Sequence, residues 1–215
     1  MSILLSAEME VDGNLKVTTR NEASHWGTHT STMGMSSGKY YAEVHVDSTQ
    51  GYPSLGVCAV DSTFTATSWL GSLNPAISYY GDTAKKYVNA GPIESYGATY
   101  DAGDTIGIAV DLDNLTVEFY KNGTSQGTIT GLTDNTEYFF AGCEYDSGSG
   151  VFTWNFGQRP FAYTPPTGFK ALNSYNLPNP TIADPSKHFD IATDTGANIL
   201  STATGLTDGA DFVWI

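Results

Sequence analysis

Positive charge is scarce in this sequence. Nine Lys and Arg residues stand against 23 Asp and Glu, a formal charge of -14. A phosphate backbone would be repelled by most faces of such a molecule, so nucleic acid is not an expected partner. The charge favours solubility and resists self-association, as suits a protein displayed at high density; a patch that takes a cationic ligand is the minority reading. Cysteine is nearly absent. Cys58 and Cys143 lie in apolar, strand-like stretches (GVCAV and FAGCEY); they read as buried thiols acting as small hydrophobes, with a disulfide left open. No Cys/His spacing resembles a zinc site. No apolar run approaches the roughly 20 residues of a membrane span, so no membrane insertion is expected. The opening MSILLSAEMEVDG has no basic n-region or cleavage site and is not read as a signal peptide. The chain is expected to be made in the cytoplasm and to be soluble. Lys, Arg, Glu and Leu are sparse, which argues against long solvent-exposed helices.

What is present suits strands and tight turns. Hydrophobic residues make up 40% and aromatics 13% of the chain, enough for a real core. Residues 1–24 are polar with weak alternation and read as one lead-in strand. From Lys39, Tyr40, Ala42, Val44 and Val46 alternate with Tyr41, Glu43, His45 and Asp47, the period of a half-buried strand. A turn at Ser48 to Pro53 leads to a second strand, Leu55 to Val60. Residues 61–104 are punctuated by Gly, Ser, Asn, Asp and Pro and read as short strands joined by long loops. Ile106, Ile108, Val110 and Leu112 then share one face, as do Leu115, Val117 and Phe119, with a tight turn at Asp113-Asn114 between the runs. Asn122-Gly123 is a strong hairpin signal, because a type I′ turn needs positive φ at both central residues. A strand at Gln126 to Ile129 completes a meander. Tyr138 to Tyr145 and Val151 to Phe156 read as the next strand pair, turning through residues 146–150.

Composition then shifts. Six prolines fall between Gln158 and Pro185, which argues against sheet. Phe161, Tyr163, Phe169 and Leu172 offer apolar anchors for an extended strap over the sandwich. The expected organisation is a lead-in segment (1–24), an antiparallel, all-β sandwich (25–160), a Pro-rich strap (161–185) and the start of a small second β unit (186–215). The run Phe212, Val213, Trp214 and Ile215 would expose apolar area and an unpaired edge. It is expected to be an oligomer contact or to be covered by further sequence.

Candidate chemistry is thin. His25 and His29 are four apart, but HWGTH is not a helical pattern and has no glutamate base, so metal ligation is not expected. Asp111, Asp113 and Asn114 could begin a calcium loop; the remaining ligand positions are absent, and a hairpin turn accounts for them. Glu94, Glu118, Glu137 and Glu144 show no local arrangement of paired glycosidase carboxylates. There is no G-x-S-x-G elbow and no phosphate-cradling glycine loop. No cofactor and no catalysis are expected. Trp69, Tyr79, Tyr80 and Tyr96, in the loop-rich region, are the candidate ligand-binding residues: such rings stack on sugars or anchor protein partners, or else pack under the loops.

Three stretches carry a family resemblance. SGKYYAEVHV, GDTIGIAVDLDNLTVEFYKNG and VFTWNFGQRPF together resemble the SPRY domain over about residues 30–160. The resemblance implies a concanavalin-like, jelly-roll sandwich that recognises partners through loops at one end. Gly107, Asp111, Phe119, Asn122 and Gly123 match as structural positions. NFGQRPFAYTPPTGFKALNSYNLPNPTI and GADFVWI resemble SPRY-type domains in structural proteins of tailed bacteriophages. That narrower likeness implies a non-enzymatic virion protein, made in the host cytoplasm. A tail fibre or adhesion component for host-surface recognition leads; a capsid decoration (head fibre) protein or a peptide-binding adaptor is the alternative, and a glycan-active enzyme ranks last. Its partners would be other virion proteins, copies of itself in a homo-oligomer (a trimer favoured) and a host-surface glycan or protein.

Overall fold

The computed structural model describes residues 7–10, 13, 15–19, 26–59, 68–145 and 150–176. His25, the turn at 146–149, the unit at 186–215 and the contact expected of Phe212–Ile215 lie outside these residues. The described strands are β1 (Ala7–Glu10), β2 (Lys16–Thr19), β3 (Trp26–Thr30), β4 (Lys39–Ser48), β5 (Ser54–Ala59), β6 (Ala76–Tyr80), β7 (Lys85–Val88), β8 (Glu94–Ser95), β9 (Thr105–Asp111), β10 (Thr116–Lys121), β11 (Thr124–Thr130), β12 (Tyr138–Tyr145), β13 (Val151–Asn155) and β14 (Lys170–Ala171), with one 3-10 turn at Leu70–Ser72. They form two antiparallel sheets packed as a sandwich. One has eight strands in the order β1-β2-β13-β4-β9-β10-β11, with β14 added to β4; the other runs β3-β12-β5-β6-β7-β8.

The meander β9-β10-β11 follows from its sequence. Val110 pairs with Val117 and Ile108 with Phe119, so the alternating apolar residues meet on the inner face with Ala42, Val44 and Val46. Asn122 (φ 47) and Gly123 (φ 78) adopt the left-handed conformation that the turn requires. The first turn is longer than expected: it takes residues 112–115, and Leu115 (φ 57) is part of it rather than of the strand. Asp111 closes it by accepting the backbone N–H groups of Asp113 (3.1 Å) and Asn114 (3.0 Å) while pairing with Lys39 at 2.8 Å. That carboxylate is fully used by the hairpin.

Three further expectations are corrected. Residues 1–24 hold two strands, β1 and β2, and not one. β12 and β13 are not paired with each other: β12 joins β3 and β5 in one sheet, and β13 joins β2 and β4 in the other. The chain crosses between the sheets where adjacency in sequence suggested a hairpin. β4 is not half-buried either, since Tyr41 (1% exposed) and Glu43 (3%), on its outer face, are as enclosed as Ala42 and Val44.

The strap encloses them. The ring of Phe161 packs edge-on against Tyr41 at 5.0 Å. Glu43 accepts the N–H groups of Ala162 (2.7 Å) and Tyr163 (2.9 Å) and the hydroxyl of Tyr41 (3.2 Å). Such charge-assisted bonds make a buried carboxylate tolerable. The strap also contributes sheet, which its prolines argued against: Lys170–Ala171 pair in parallel with Tyr40–Tyr41, taking up the edge of β4 just past the point where β13 leaves it at Glu43. Gly107 sits beneath this layer, and a Cβ there would lie 2.3 Å from the Tyr41 hydroxyl.

Candidate functional site

The outer face of the six-stranded sheet is built differently. Register places Trp26 beside Tyr145, Thr28 beside Cys143 and Thr30 beside Ala141. Across β5, β6 and β7 the same face carries Gly56, Cys58, Ala76, Ser78, Tyr80 and Tyr87. Its middle is therefore paved with small residues. The segment at 68–73 lies on that pavement, and Leu70 and Leu73 bury against Cys58, Ala76, Ala141 and Cys143. Gly56 permits the close approach of β5 to β6, because a Cβ there would meet the Ile77 carbonyl at 2.0 Å. Both cysteines are free thiols in this layer, and burial pushes each up to about 12.

Large rings surround this paving. Trp69 is set by a local turn in which Ser72 Oγ donates to the Trp69 carbonyl (2.8 Å) and accepts its N–H (3.1 Å); Thr28 Oγ1 ties the segment to β3 through the Ser68 carbonyl at 3.1 Å. Trp69 stacks on Trp26, with centroids 5.0 Å apart and planes at 16°. Tyr80 meets Trp69 at 5.8 Å and stacks on Tyr52 at 6.0 Å and 10°. Tyr52 reaches Tyr145 at 6.1 Å, and Tyr145 returns to Trp26 at 5.0 Å. These five rings close a circuit, and Tyr87 packs edge-on against Trp69 at 4.6 Å. Tyr52 is 40% exposed, and the other five are half-buried.

Of the four expected ligand-binding residues, Trp69 and Tyr80 belong to this circuit. Tyr79 and Tyr96 do not. Tyr79 points the opposite way from Tyr80 and is fully enclosed, edge-on to Tyr96 (5.1 Å), Tyr100 (4.9 Å) and Phe119 (5.3 Å), with its hydroxyl donated to the Ala98 carbonyl. Tyr96 donates to the Gly127 carbonyl and accepts the Phe119 N–H at 3.3 Å. Both hold the 91–104 loop onto the core, the packing role that was the rival reading. Trp26, Tyr52, Tyr87 and Tyr145 were missed. The alternation of Trp26 with Thr28 and Thr30, and of Tyr145 with Cys143, held the signal.

The loop carrying Tyr52 is held by one side chain. Glu144, 2% exposed, accepts from Thr49 Oγ1 (2.6 Å), the Gln50 N–H (2.7 Å) and the Gly51 N–H (3.1 Å) through Oε1. Burial raises its pKa and the nearby Asp101 adds to the rise; the three bonds oppose it. Beside this loop is a polar basin of about 440 Å³ lined by Thr49, Gln50, Gly51, Asp82, Thr99 and Asp101 among others. A second, more apolar cavity of about 470 Å³ lies at the other end of β3, walled by Leu15, Val17, Met33, Trp154 and Leu172 and floored by His29. His29 Nε2 accepts the Trp154 indole N–H at 2.9 Å, and burial lowers its pKa to about 3, so it stays neutral.

Two further carboxylates named from the sequence have local duties. Glu94 pairs with Lys86 at 3.0 Å and Glu118 accepts from Ser125. No group of three or more metal-ligating side chains occurs among the described residues.

The sequence profile of the SPRY domain matches residues 39–159. The ATP-dependent RNA helicase DDX1 of Xenopus laevis is 34% identical over 155 residues, covering 71% of this chain and 20% of its own length. Ran-binding protein 9 of Danio rerio is 30% identical over 148 residues, covering 68% of this chain and 24% of its own. The chain thus spans a quarter or less of these relatives. Among solved structures, a human SPRY domain superposes with a TM-score of 0.58 at 16% identity, over 72% of this chain and 99% of that one. The SPRY domain of human HERC1 does so at 0.59 and 17%, over 72% and 97%. At these identities the structures establish the fold alone.

Proposed function

Because the chain belongs to the SPRY domain family, we propose that it is a recognition module that binds a protein partner on the open ring face of its six-stranded sheet, and not a catalyst. The observation that carries this is the closed circuit of Trp26, Trp69, Tyr80, Tyr52 and Tyr145 left half-exposed. Rings clustered in this way present large, rigid contact area at low entropic cost, the composition that dominates binding hot spots. Ran-binding protein 9, one of the relatives, is named as a binding protein, which agrees with this class of activity.

Selection of displayed random peptides tests it. Wild-type protein should enrich a peptide family that Tyr52→Ala and Trp69→Ala proteins do not retain. Failure to enrich any peptide, or equal retention by both variants, would remove the reading. A narrower setting, display of this module on a virion, rests on the resemblance of residues 155–182 to bacteriophage structural proteins. Finding the chain's density on purified particles of its source would support that setting, and its absence would discard it.

A further inference from the structure

The ring face has a polar neighbour of one charge sign. Tyr52 lies within the loop that walls the basin, and Asp82 follows Tyr80 by two residues on its opposite side. Asp82 and Asp101 are the formal charges lining it, and no Lys or Arg is among the lining residues. Of the neighbouring cations, two are paired with carboxylates, while Lys85, opposite Tyr80 in the β6–β7 register, keeps its charge and bonds only a hydroxyl among the described residues. Lys121 sits 3.1 Å from Asp104 and donates to the Thr99 carbonyl at 2.7 Å. Lys86 pairs with Glu94, and Lys85 donates to Ser95 Oγ at 3.0 Å. Asp82 is exposed and has no hydrogen bond or ion pair among the described residues; it is near enough to Tyr80 to add, after burial, to the upward shift of that phenol. The whole chain carries -14.

From this juxtaposition of open rings and unneutralised carboxylates we infer that the partner presents a cationic segment, an arginine- or lysine-bearing stretch whose stem lies across Tyr52 and Tyr80 and whose charge faces Asp82 and Asp101. The inference rests on the ring face being the binding surface. Ring faces attract a guanidinium or ammonium through their quadrupole. An acidic segment would meet the basin and the net charge of the molecule unfavourably, and a neutral glycan, although its hydroxyls would find acceptors in the basin, would gain nothing from the net charge and would bind without salt dependence. Exposed carboxylates at a rim set partner choice and association rate more than affinity, so the signature is charge selectivity with salt dependence.

The tryptophans supply the readout. Trp26 and Trp69 lie in the ring face, while Trp154, 3% exposed and donating to His29, is an internal control. The indole N–H resonances of 15N-labelled protein are followed while four probes are added separately: a blocked Gly-Arg-Gly-Arg-Gly peptide, its lysine and glutamate counterparts, and chitotetraose. The arginine and lysine peptides should shift Trp26 and Trp69 and leave Trp154 in place. Their affinity should fall with added salt, and about threefold more on Asp82→Asn. Equal shifts with the glutamate peptide or with the sugar, or no shift with either cationic peptide, would overturn the inference. Enrichment of acidic or uncharged sequences in the display selection would also overturn it while leaving the ring face as the binding surface; absence of any enrichment removes both.

Discussion

Both sheets carry aromatic residues on their outer faces, and the chain treats the two faces oppositely. On the eight-stranded sheet, Tyr41 and Glu43 disappear beneath the strap, and the carboxylate is satisfied by two backbone donors and a phenol. On the six-stranded sheet, the segment at 68–73 lies over a pavement of small residues, and the larger rings around it are half-exposed. A buried Glu is informative, and so is a cluster of exposed rings where a single exposed Tyr would not be. Side by side they separate a face covered by its own chain from one whose rings stay half-exposed, the face proposed to bind a partner.

The contrast is broken most severely at Glu43. Glu43→Ala leaves two amides and a phenol without their acceptor and should cost about 2 kcal/mol in urea unfolding. Hydrogen exchange at Ala162 and Tyr163 should accelerate, while the Trp26 and Trp69 indole resonances stay put. Movement of those indoles would mean the two faces are coupled.

A smaller effect belongs to Glu144, and its sign follows from linkage. Its folded pKa lies above the ordinary value of 4.5, so the native state binds more protons than the unfolded one between 4.5 and the raised value. Stability therefore falls as pH rises through that window and levels off above it. In Glu144→Gln protein that part of the slope should vanish, as followed by thermal unfolding across pH. Persistence of the slope would assign it to another group.

The smallest change in stability is expected at Tyr52, the most exposed ring of the circuit at 40%. Tyr52→Ala should stay within about 0.5 kcal/mol of wild type by urea unfolding and yet lose the peptides selected on the ring face. A large loss of stability would instead make Tyr52 part of the packing, and the second face as closed as the first.

Much of the framework was legible because it is local. Alternation marked β4, β9 and β10, and Asn122-Gly123 announced its hairpin through backbone conformation alone. What escaped was non-local. Nothing near Glu43 reveals that amides 119 and 120 residues away will bury it. β12 and β13 adjoin in sequence, but each sheet claims one of them. Tyr79 and Tyr80 could not be told apart, because a period of two sends neighbours to opposite faces without saying which is which. The site was half legible for the same reason: Trp69 and Tyr80 stood in an aromatic-rich stretch, whereas Trp26, Tyr52 and Tyr145 come to them from β3, the loop after β4 and β12.

Glu144 has a kinetic consequence as well. One carboxylate oxygen grips three consecutive residues of the loop that carries Tyr52, so that ring is posed before any partner arrives. An encounter need not wait for the loop to rearrange. Association should then be a single step whose rate climbs in proportion to partner concentration, and differences between partners should lie in how long they stay.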